Sequence, residues 1–379
     1  MALWYISPTV PQTPPRKFKG QMEPSEHVLN GSNNGGGTGV YEENATYRRQ
    51  LVMLRRSLGP VVMRELQNEA TEDIVLNPDS CLWVKRRAEP FSQVGSLSPI
   101  NAFSALATIA TVRKTKLDND TPAIETNLPL DGSRIEGLIP PVVTNPIFAI
   151  RKRGNGAPTL EEYAESGILT DKEDPANEYR RMDTFLEMCR DKSHIEVIRI
   201  AVQEKKNIVI VGSTGSGKTT FVNAVLDTQY RLAPNDRTIL IEDTPELQCN
   251  VTNHVSLLST DSFPTLSCLK ACMRLSPKRI VLGEVRGKEA HTMLKAWNTG
   301  HPGGLATFHA NDARGGLSRL ESLVGESPEA NGPQQKFIAE AVDLLLFIDA
   351  DWTLKAGRKV REVLAVTGFE NGDYITHRL

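Results

Sequence analysis

The stretch NIVIVGSTGSGKTT at positions 207–220 combines the residue types that can hold a polyphosphate. It matches the pattern G-x-x-x-x-G-K-[ST] at Gly212, Gly217, Lys218 and Thr219, directly after an apolar run typical of a strand. A loop without Cβ atoms lets backbone N–H groups approach phosphate oxygens, and a helix beginning near Lys218 adds the positive end of its dipole. The lysine would bind the β- and γ-phosphates, and the hydroxyl of Thr219 would hold Mg²⁺. The residues predicted to contact the nucleotide, ATP, are Gly212, Ser213, Thr214, Gly215, Ser216, Gly217, Lys218, Thr219 and Thr220.

Carboxylates follow two further apolar runs downstream of this loop. Glu242 and Asp243 come directly after residues 238–241, and Glu284 follows residues 280–283. Open α/β sheets bind their ligands at such strand ends, where one carboxylate could polarise the attacking water and another could hold Mg²⁺ through water. Each cluster alone would more often be a solvated strand end, but together, behind a phosphate loop, they favour a catalytic site.

Two histidines flank a later strand candidate in the segment GHPGGLATFHAND. His301 and His309 would lie at opposite ends of a short strand, too far apart to share a metal ion, and no cysteine or third histidine accompanies them. A hydrogen-bonding role near the γ-phosphate therefore fits His309 better than metal binding.

The elements that must position these residues divide the chain of 379 residues into four segments. Residues 1–45, rich in Pro, Gly, Asn and Ser, predict a disordered extension. Residues 46–153 predict a smaller α+β domain: a helix interrupted at Gly59, a hairpin around NPDS, a second helix and three strand segments. Residues 154–183 predict a flexible linker with short helices. In residues 184–379 apolar strands alternate with helices, which predicts an α/β domain with a largely parallel sheet and helices on both faces.

Composition limits the classes of function. The formal net charge of -2 argues against direct nucleic-acid binding, because phosphate neutralisation needs an excess of Lys and Arg. Five scattered cysteines suit reduced thiols in the cytosol. No apolar run approaches the length of a membrane span, and the first residues lack the pattern of an export signal.

Four boxes in this order, GSTGSGKTT, IEDTPEL, RLSPKRIVLGEVRG and GHPGGLATFHAND, resemble those of the secretion superfamily of hexameric ATPases, and most of all its type IV secretion and conjugation branch of TrbB-like traffic ATPases. The resemblance extends from about residue 46 to the end. It implies a RecA-like P-loop motor domain, ATP hydrolysis with Mg²⁺, and a homohexameric ring. By motif match, Glu242 is the water-activating candidate, Glu284 the Walker B glutamate and His309 the histidine of the His box.

The resemblance also implies residues and partners outside these boxes. Arg134 and Arg151 resemble the N-terminal-domain arginines that approach the γ-phosphate, with the nucleotide between the two domains of one protomer and near the neighbouring subunit. The implied partners are the type IV secretion inner-membrane complex and its coupling protein or large ATPase, at the cytoplasmic side of the inner membrane with peripheral association.

Several alternatives stay open from the sequence. The loop could be a glycine-rich turn without a ligand. A type IV pilus retraction motor would share all four boxes, and a nucleotide-gated docking scaffold would bind ATP with little hydrolysis. Residues 115–118, TKLD, superficially resemble a guanine-specifying motif, but they precede the phosphate loop and are better explained by coincidence.

Overall fold

The computed structural model describes residues 37–154, 159–169 and 182–379. Its first half consists of α1 (Gly37–Gln67), β1 (Thr71–Leu76), β2 (Cys81–Arg86), β3 (Ser92–Ser96), α2 (Pro99–Arg113), β4 (Ala123–Asn127), β5 (Arg134–Leu138), β6 (Ile147–Arg151), α3 (Leu160–Glu165), α4 (Met182–Cys189) and α5 (His194–Gln203). Its second half consists of β7 (Ile208–Val211), α6 (Lys218–Leu232), β8 (Thr238–Glu242), β9 (His254–Leu258), α7 (Thr265–Cys272), β10 (Arg279–Leu282), α8 (Glu289–Asn298), β11 (Leu305–Phe308), α9 (Ala313–Gly325), α10 (Gln335–Ala341), β12 (Leu344–Ala350), β13 (Arg358–Glu370) and β14 (Asp373–Arg378).

The predicted extension and linker fall partly on residues outside this description. For the extension these are residues 1–36, and α1 already begins at Gly37, inside the predicted segment. Extending an existing helix costs less than nucleating one, which accounts for the earlier start. For the linker the outlying residues are 155–158 and 170–181, and its described part contains the short helix α3.

A six-stranded antiparallel sheet forms the N-terminal part, in the order β3-β2-β1-β6-β5-β4. Its helices α1 and α2 bury apolar side chains such as Leu54, Leu58 and Leu106 against one face. The predicted interruption of α1 is confirmed, because Gly59 has φ 74° and ψ 171° and Pro60 follows it. The predicted hairpin, second helix and three strands are likewise present as β1–β2, α2 and β4 to β6.

The C-terminal part contains an eight-stranded sheet in the order β14-β13-β12-β7-β11-β10-β8-β9. The six strands from β12 to β9 run parallel, whereas β13 and β14 pair antiparallel through the Asn371-Gly372 turn. Every residue of β7, β8, β10 and β11 is buried, which explains their continuous apolar runs. The predicted α/β class with a largely parallel sheet is confirmed.

A buried arginine joins the two sheets, which belong to one compact unit spanning Ala45–Leu379. Arg237, just before β8, donates from Nε to the carbonyl oxygen of Leu275 (2.8 Å) and from Nη1 to Oδ1 of Asn77 in the N-terminal hairpin (2.6 Å) and to Oδ1 of Asn253. Burial lowers the pKa of Arg237 to about 10, so the group is still charged at neutral pH. This contact fixes the N-terminal hairpin at the amino ends of the parallel strands.

Candidate active site

The predicted phosphate loop connects β7 at the centre of the parallel sheet to the first turn of α6. A Cβ on Gly212 would lie only 2.1 Å from the carbonyl oxygen of Ile348, so this position accepts no side chain. Gly217 precedes the helix with φ 93°, which L-residues rarely adopt. No side chain caps the N-terminus of α6, and the buried Oγ of Ser216 has no partner among the described residues. The loop therefore leaves backbone N–H groups and one hydroxyl free for a ligand.

Lys218 folds back over this loop. Its Nζ donates to the carbonyl oxygens of Gly212 (3.1 Å) and Ser213 (2.9 Å) and to Nδ1 of His309 (3.1 Å). Burial lowers the pKa of Lys218, an effect that the nearby charge of Glu284 opposes. The carbonyl oxygens of Gly212 and Ser213 thus accept the hydrogen bonds that Lys218 would donate to phosphate oxygens if a nucleotide were bound.

His309 connects the lysine to the carboxylate at the end of β10. Its Nε2 lies 3.1 Å from Oε1 of Glu284, and the other carboxylate oxygen accepts from Nη2 of Arg286 at 2.9 Å. Nδ1 also lies 3.3 Å from the carbonyl oxygen of Gly212. An ammonium group can only donate, so in the tautomer in which Nδ1 accepts from Lys218 the ring proton is on Nε2 and faces Glu284. Arg286 also pairs with Asp243 after β8. The structure therefore brings Lys218, Glu284 and His309 together.

Glu242 occupies the end of β8 with little exposure. Its Oε1 accepts from the backbone N–H groups of Glu246 (2.9 Å) and Leu247 (2.8 Å), which holds the turn after the strand. A Cβ on Gly283 would lie 3.3 Å from Cγ of Glu242, so the missing side chain there leaves room for Glu242 beside the Glu284 strand. Oε1 of Glu242 is therefore occupied by backbone hydrogen bonds, and Oε2 is the carboxylate oxygen available for a water molecule.

The donor set suits a nucleotide with Mg²⁺ better than a protein-enclosed metal. No group of three or more His, Cys, Asp or Glu side chains within the described ranges is placed to hold a metal ion. Mg²⁺ usually takes one or two protein oxygens and completes its shell with phosphates and water, and Thr219 in the first turn of α6 and Glu284 could supply those oxygens. His301, by contrast, lies at the other end of β11, where its Nδ1 contacts the carbonyl oxygen of Pro277 (3.1 Å).

Arg134 and Arg151 lie apart from this cluster. They face each other across β5 and β6 and line a cavity of about 350 Å³ together with Glu136, Met273 and Arg274. Arg151 also donates to Asp73, with Nε 2.9 Å from Oδ1. Met273 and Arg274 precede β10, whereas Glu284 follows it, so the length of the parallel strands separates the cavity from the phosphate loop. The described chain does not bring these arginines to its own phosphate loop.

Two further arginines contact the site: the sequence marks Arg286 only as a weak candidate beside the Glu284 strand, and it gives Arg358 no role. Arg286 follows Glu284 by two positions, and this spacing on an extended segment was the one signal that could have linked their side chains. Arg358 lies against Gly217, but it comes from the distant β12–β13 hairpin, and no local pattern indicates that contact.

A buried parallel strand, a glycine-rich loop with a lysine at the start of a helix, and a carboxylate on a neighbouring strand end define a P-loop nucleotide-binding protein with a RecA-like motor domain. More narrowly, the chain belongs to the type II/IV secretion system protein family, whose model matches residues 58–347. The sequence resemblance to secretion ATPases is thereby confirmed.

Individual relatives place it within that family. The chain is 38% identical over 333 residues to the probable conjugal transfer protein TrbB of Sinorhizobium fredii, covering 88% of this chain and 94% of the relative. It is 38% identical over 331 residues to the conjugal transfer protein TrbB of Rhizobium radiobacter, covering 87% and 94%. The crystal structure of the VirB11 ATPase from the Brucella suis type IV secretion system in complex with sulphate is similar with a TM-score of 0.75 and 25% identity, covering 85% of this chain and 96% of that chain.

Proposed function

We propose that the protein is a Mg²⁺-dependent ATPase that drives a conjugative or type IV secretion machine. The observation that supports this most directly is the chain of contacts from Lys218 through His309 to Glu284 beside an uncapped helix N-terminus. Such a site holds a polyphosphate and can sense its terminal phosphate. The names of the relatives, conjugal transfer proteins and a VirB11 ATPase, favour this function over pilus retraction.

Each group has a distinct task in the proposed reaction. The loop N–H groups and Lys218 bind and orient the phosphate chain, and Mg²⁺ held by Thr219 and Glu284 supplies charge neutralisation when bound. Oε2 of Glu242 is the candidate to accept a proton from the attacking water. His309 can transmit the presence of the γ-phosphate, because the nucleotide would take over the Lys218 contacts that now hold its ring.

Phosphate release from ATP tests the proposal. We expect steady-state turnover with Mg²⁺ that falls to background when EDTA removes the metal ion and returns when Mg²⁺ is restored. ATP binding without phosphate release, measured with a fluorescent ATP analogue, would instead support the docking scaffold. Absence of both binding and release would refute the ATPase proposal.

We further propose that Arg134 and Arg151 act on the nucleotide of a neighbouring protomer in a homohexameric ring. The two arginines lie directly opposite each other in the strand register, and although Arg151 pairs with Asp73, Arg134 has no ion pair among the described residues and is free to bind an anion. Their own phosphate loop lies at the carboxyl ends of the parallel strands, whereas Met273 and Arg274 of their cavity lie before the amino end of β10. A γ-phosphate presented by the adjacent protomer would meet them without any rearrangement of the chain's own two sheets.

A subunit-mixing experiment tests this arrangement. A Lys218→Ala chain and an Arg134→Ala/Arg151→Ala chain should each be inactive, but an equal mixture should regain about a quarter of wild-type turnover, because a random ring pairs an intact loop with intact arginines at about one interface in four. An Arg87→Ala chain, in which an exposed arginine is replaced instead of Arg134 and Arg151, is the control, and by itself it should hydrolyse ATP at the wild-type rate. A mixture as inactive as its components would exclude action between protomers.

No described helix is long and apolar enough to cross a membrane. On the likeness to conjugal transfer and type IV secretion proteins, we propose contact with the inner membrane through partners at its cytoplasmic face, namely the coupling protein or the large ATPase of a type IV secretion complex. Co-purification with such a protein, dependent on ATP, would support this assignment, and a protein that co-purifies only with a pilus platform would overturn it.

A further inference from the structure

The β12–β13 hairpin packs directly on the phosphate loop. β12 is a parallel neighbour of β7, so its carboxyl end reaches the same edge of the sheet. There the carbonyl oxygen of Ile348 fills the space beside Gly212, and Oγ of Ser213 lies 3.2 Å from Oδ1 of Asp349. The hairpin therefore forms the wall of the loop opposite to His309.

Arg358 returns from this hairpin onto the start of α6. Arg358 on β13 pairs with Ala350 on β12. A Cβ on Gly217 would lie 2.0 Å from Nη1 and 2.9 Å from Cζ of Arg358. The guanidinium group is thus in contact with the main chain at the residue before Lys218. Although exposed, the Arg358 side chain has no ion pair or hydrogen bond with any residue in the described ranges.

This is an unfavourable place for a cation in the free protein. The N-terminus of α6 is the positive end of its dipole, no side chain caps it, and the ammonium group of Lys218 lies beside it. Arginine and lysine are stabilised at the opposite end of a helix. Three positive features therefore converge here, and Arg358 pairs with none of the carboxylates in the described ranges, which is consistent with a bound anion at this point.

We infer that Arg358 binds the phosphate chain of the nucleotide from the side opposite to Lys218. The inference rests on the proposed ATPase function and adds a binding residue to it. Because Gly217 lies at the helix start, the contact is to a phosphate that ADP also possesses, and not to the γ-phosphate. Arginine suits this position, since its planar guanidinium can donate two hydrogen bonds to one phosphate while its stem packs on Gly217.

Nucleotide affinity of the full chain tests the inference. Titration with a fluorescent ADP and a fluorescent ATP should show that Arg358→Ala weakens both about ten- to a hundred-fold, the loss expected for one charge-assisted contact. Arg358→Lys should recover part of the affinity. Competition by inorganic tripolyphosphate should weaken to a similar extent, because the lost contact is to phosphate and not to the base.

Lys355→Ala is the matched control, since Lys355 is an exposed cation in the turn of the same hairpin and has no hydrogen bond or ion pair with the phosphate loop among the described residues. It should bind like the wild type, and unchanged thermal unfolding of both variants without nucleotide would show an intact fold. Wild-type affinity in Arg358→Ala would overturn this inference while leaving the ATPase proposal in place. A loss confined to ATP, or one that spares tripolyphosphate, would also overturn it. A wild-type chain that binds no nucleotide would overturn both.

Discussion

Replacing Glu284 by glutamine should reduce ATP turnover by a factor of about 10² to 10⁴ while nucleotide binding persists. The amide keeps the shape of the side chain and its contact with His309, but it loses the charge that would hold Mg²⁺ and that pairs with Arg286. Phosphate release under saturating ATP gives kcat, and titration with a fluorescent ATP analogue gives Kd. A selective fall in kcat would identify Glu284 as a residue that acts in the transition state.

Lys218→Ala provides the contrasting variant. It removes the group that bridges the loop carbonyls and His309, so both nucleotide affinity and turnover should collapse. Glu340→Gln, an exposed carboxylate at the end of α10, is the control for the charge change and should behave as wild type. Turnover that persists in both Glu284→Gln and Lys218→Ala would show that hydrolysis occurs elsewhere.

The sequence was sufficient for the parts of the site that strand order brings together. Lys218, Glu284 and His309 follow three parallel strands, and the carboxyl ends of parallel strands share one edge of the sheet. Once the strands were recognised, their proximity followed. The strand that ends at Glu242 was equally evident from the sequence. The hydrogen bond from the backbone of Glu246 to Oε1 of Glu242, however, depends on the local path of the chain after the strand.

Contacts between distant segments could not be read in the same way. Arg134 and Arg151 lie on a different sheet, and where that sheet packs depends on side chains such as Arg237 and Asn77 that no motif marks. Arg358 reaches the loop because β12 adds to the sheet beside β7 and the chain then turns back. Strand order and hairpin length decide such contacts, and neither is encoded in the spacing of residues around the phosphate loop.

The cavity lined by Arg134 and Arg151 contains an acidic group whose environment predicts a large dependence of stability on pH. Glu136 on β5 is only 4% exposed, and its Oε2 has no partner among the described residues. Burial raises its pKa from the ordinary value of 4.5 to about 8, and the neighbouring Glu125 adds to the shift, while Arg274 opposes it. The carboxyl group is therefore largely neutral in the folded protein at physiological pH.

Glu136→Gln should consequently stabilise the protein at alkaline pH and leave it unchanged at acidic pH. Below about pH 4.5 the wild-type carboxyl is protonated in both the folded and the unfolded chain and contributes no difference. Between that pH and about 8 only the folded chain keeps the proton, so the free energy of unfolding decreases as the pH rises, by about 3 to 5 kcal/mol over the whole interval. The glutamine variant, which cannot ionise, should lose this slope.

Urea unfolding at pH 5, 7 and 8.5 measures the effect, with Glu89→Gln as a control because Glu89 is an exposed carboxylate of the same sheet region. The gap between Glu136→Gln and wild type should widen with each step in pH, whereas Glu89→Gln should follow the wild-type curve throughout. Parallel curves for Glu136→Gln and wild type would mean that Glu136 ionises at an ordinary pH. Since Arg134 and Arg151 line the same cavity, a neutral Glu136 also leaves their positive charge uncompensated by this group and available to the phosphate of an adjacent protomer.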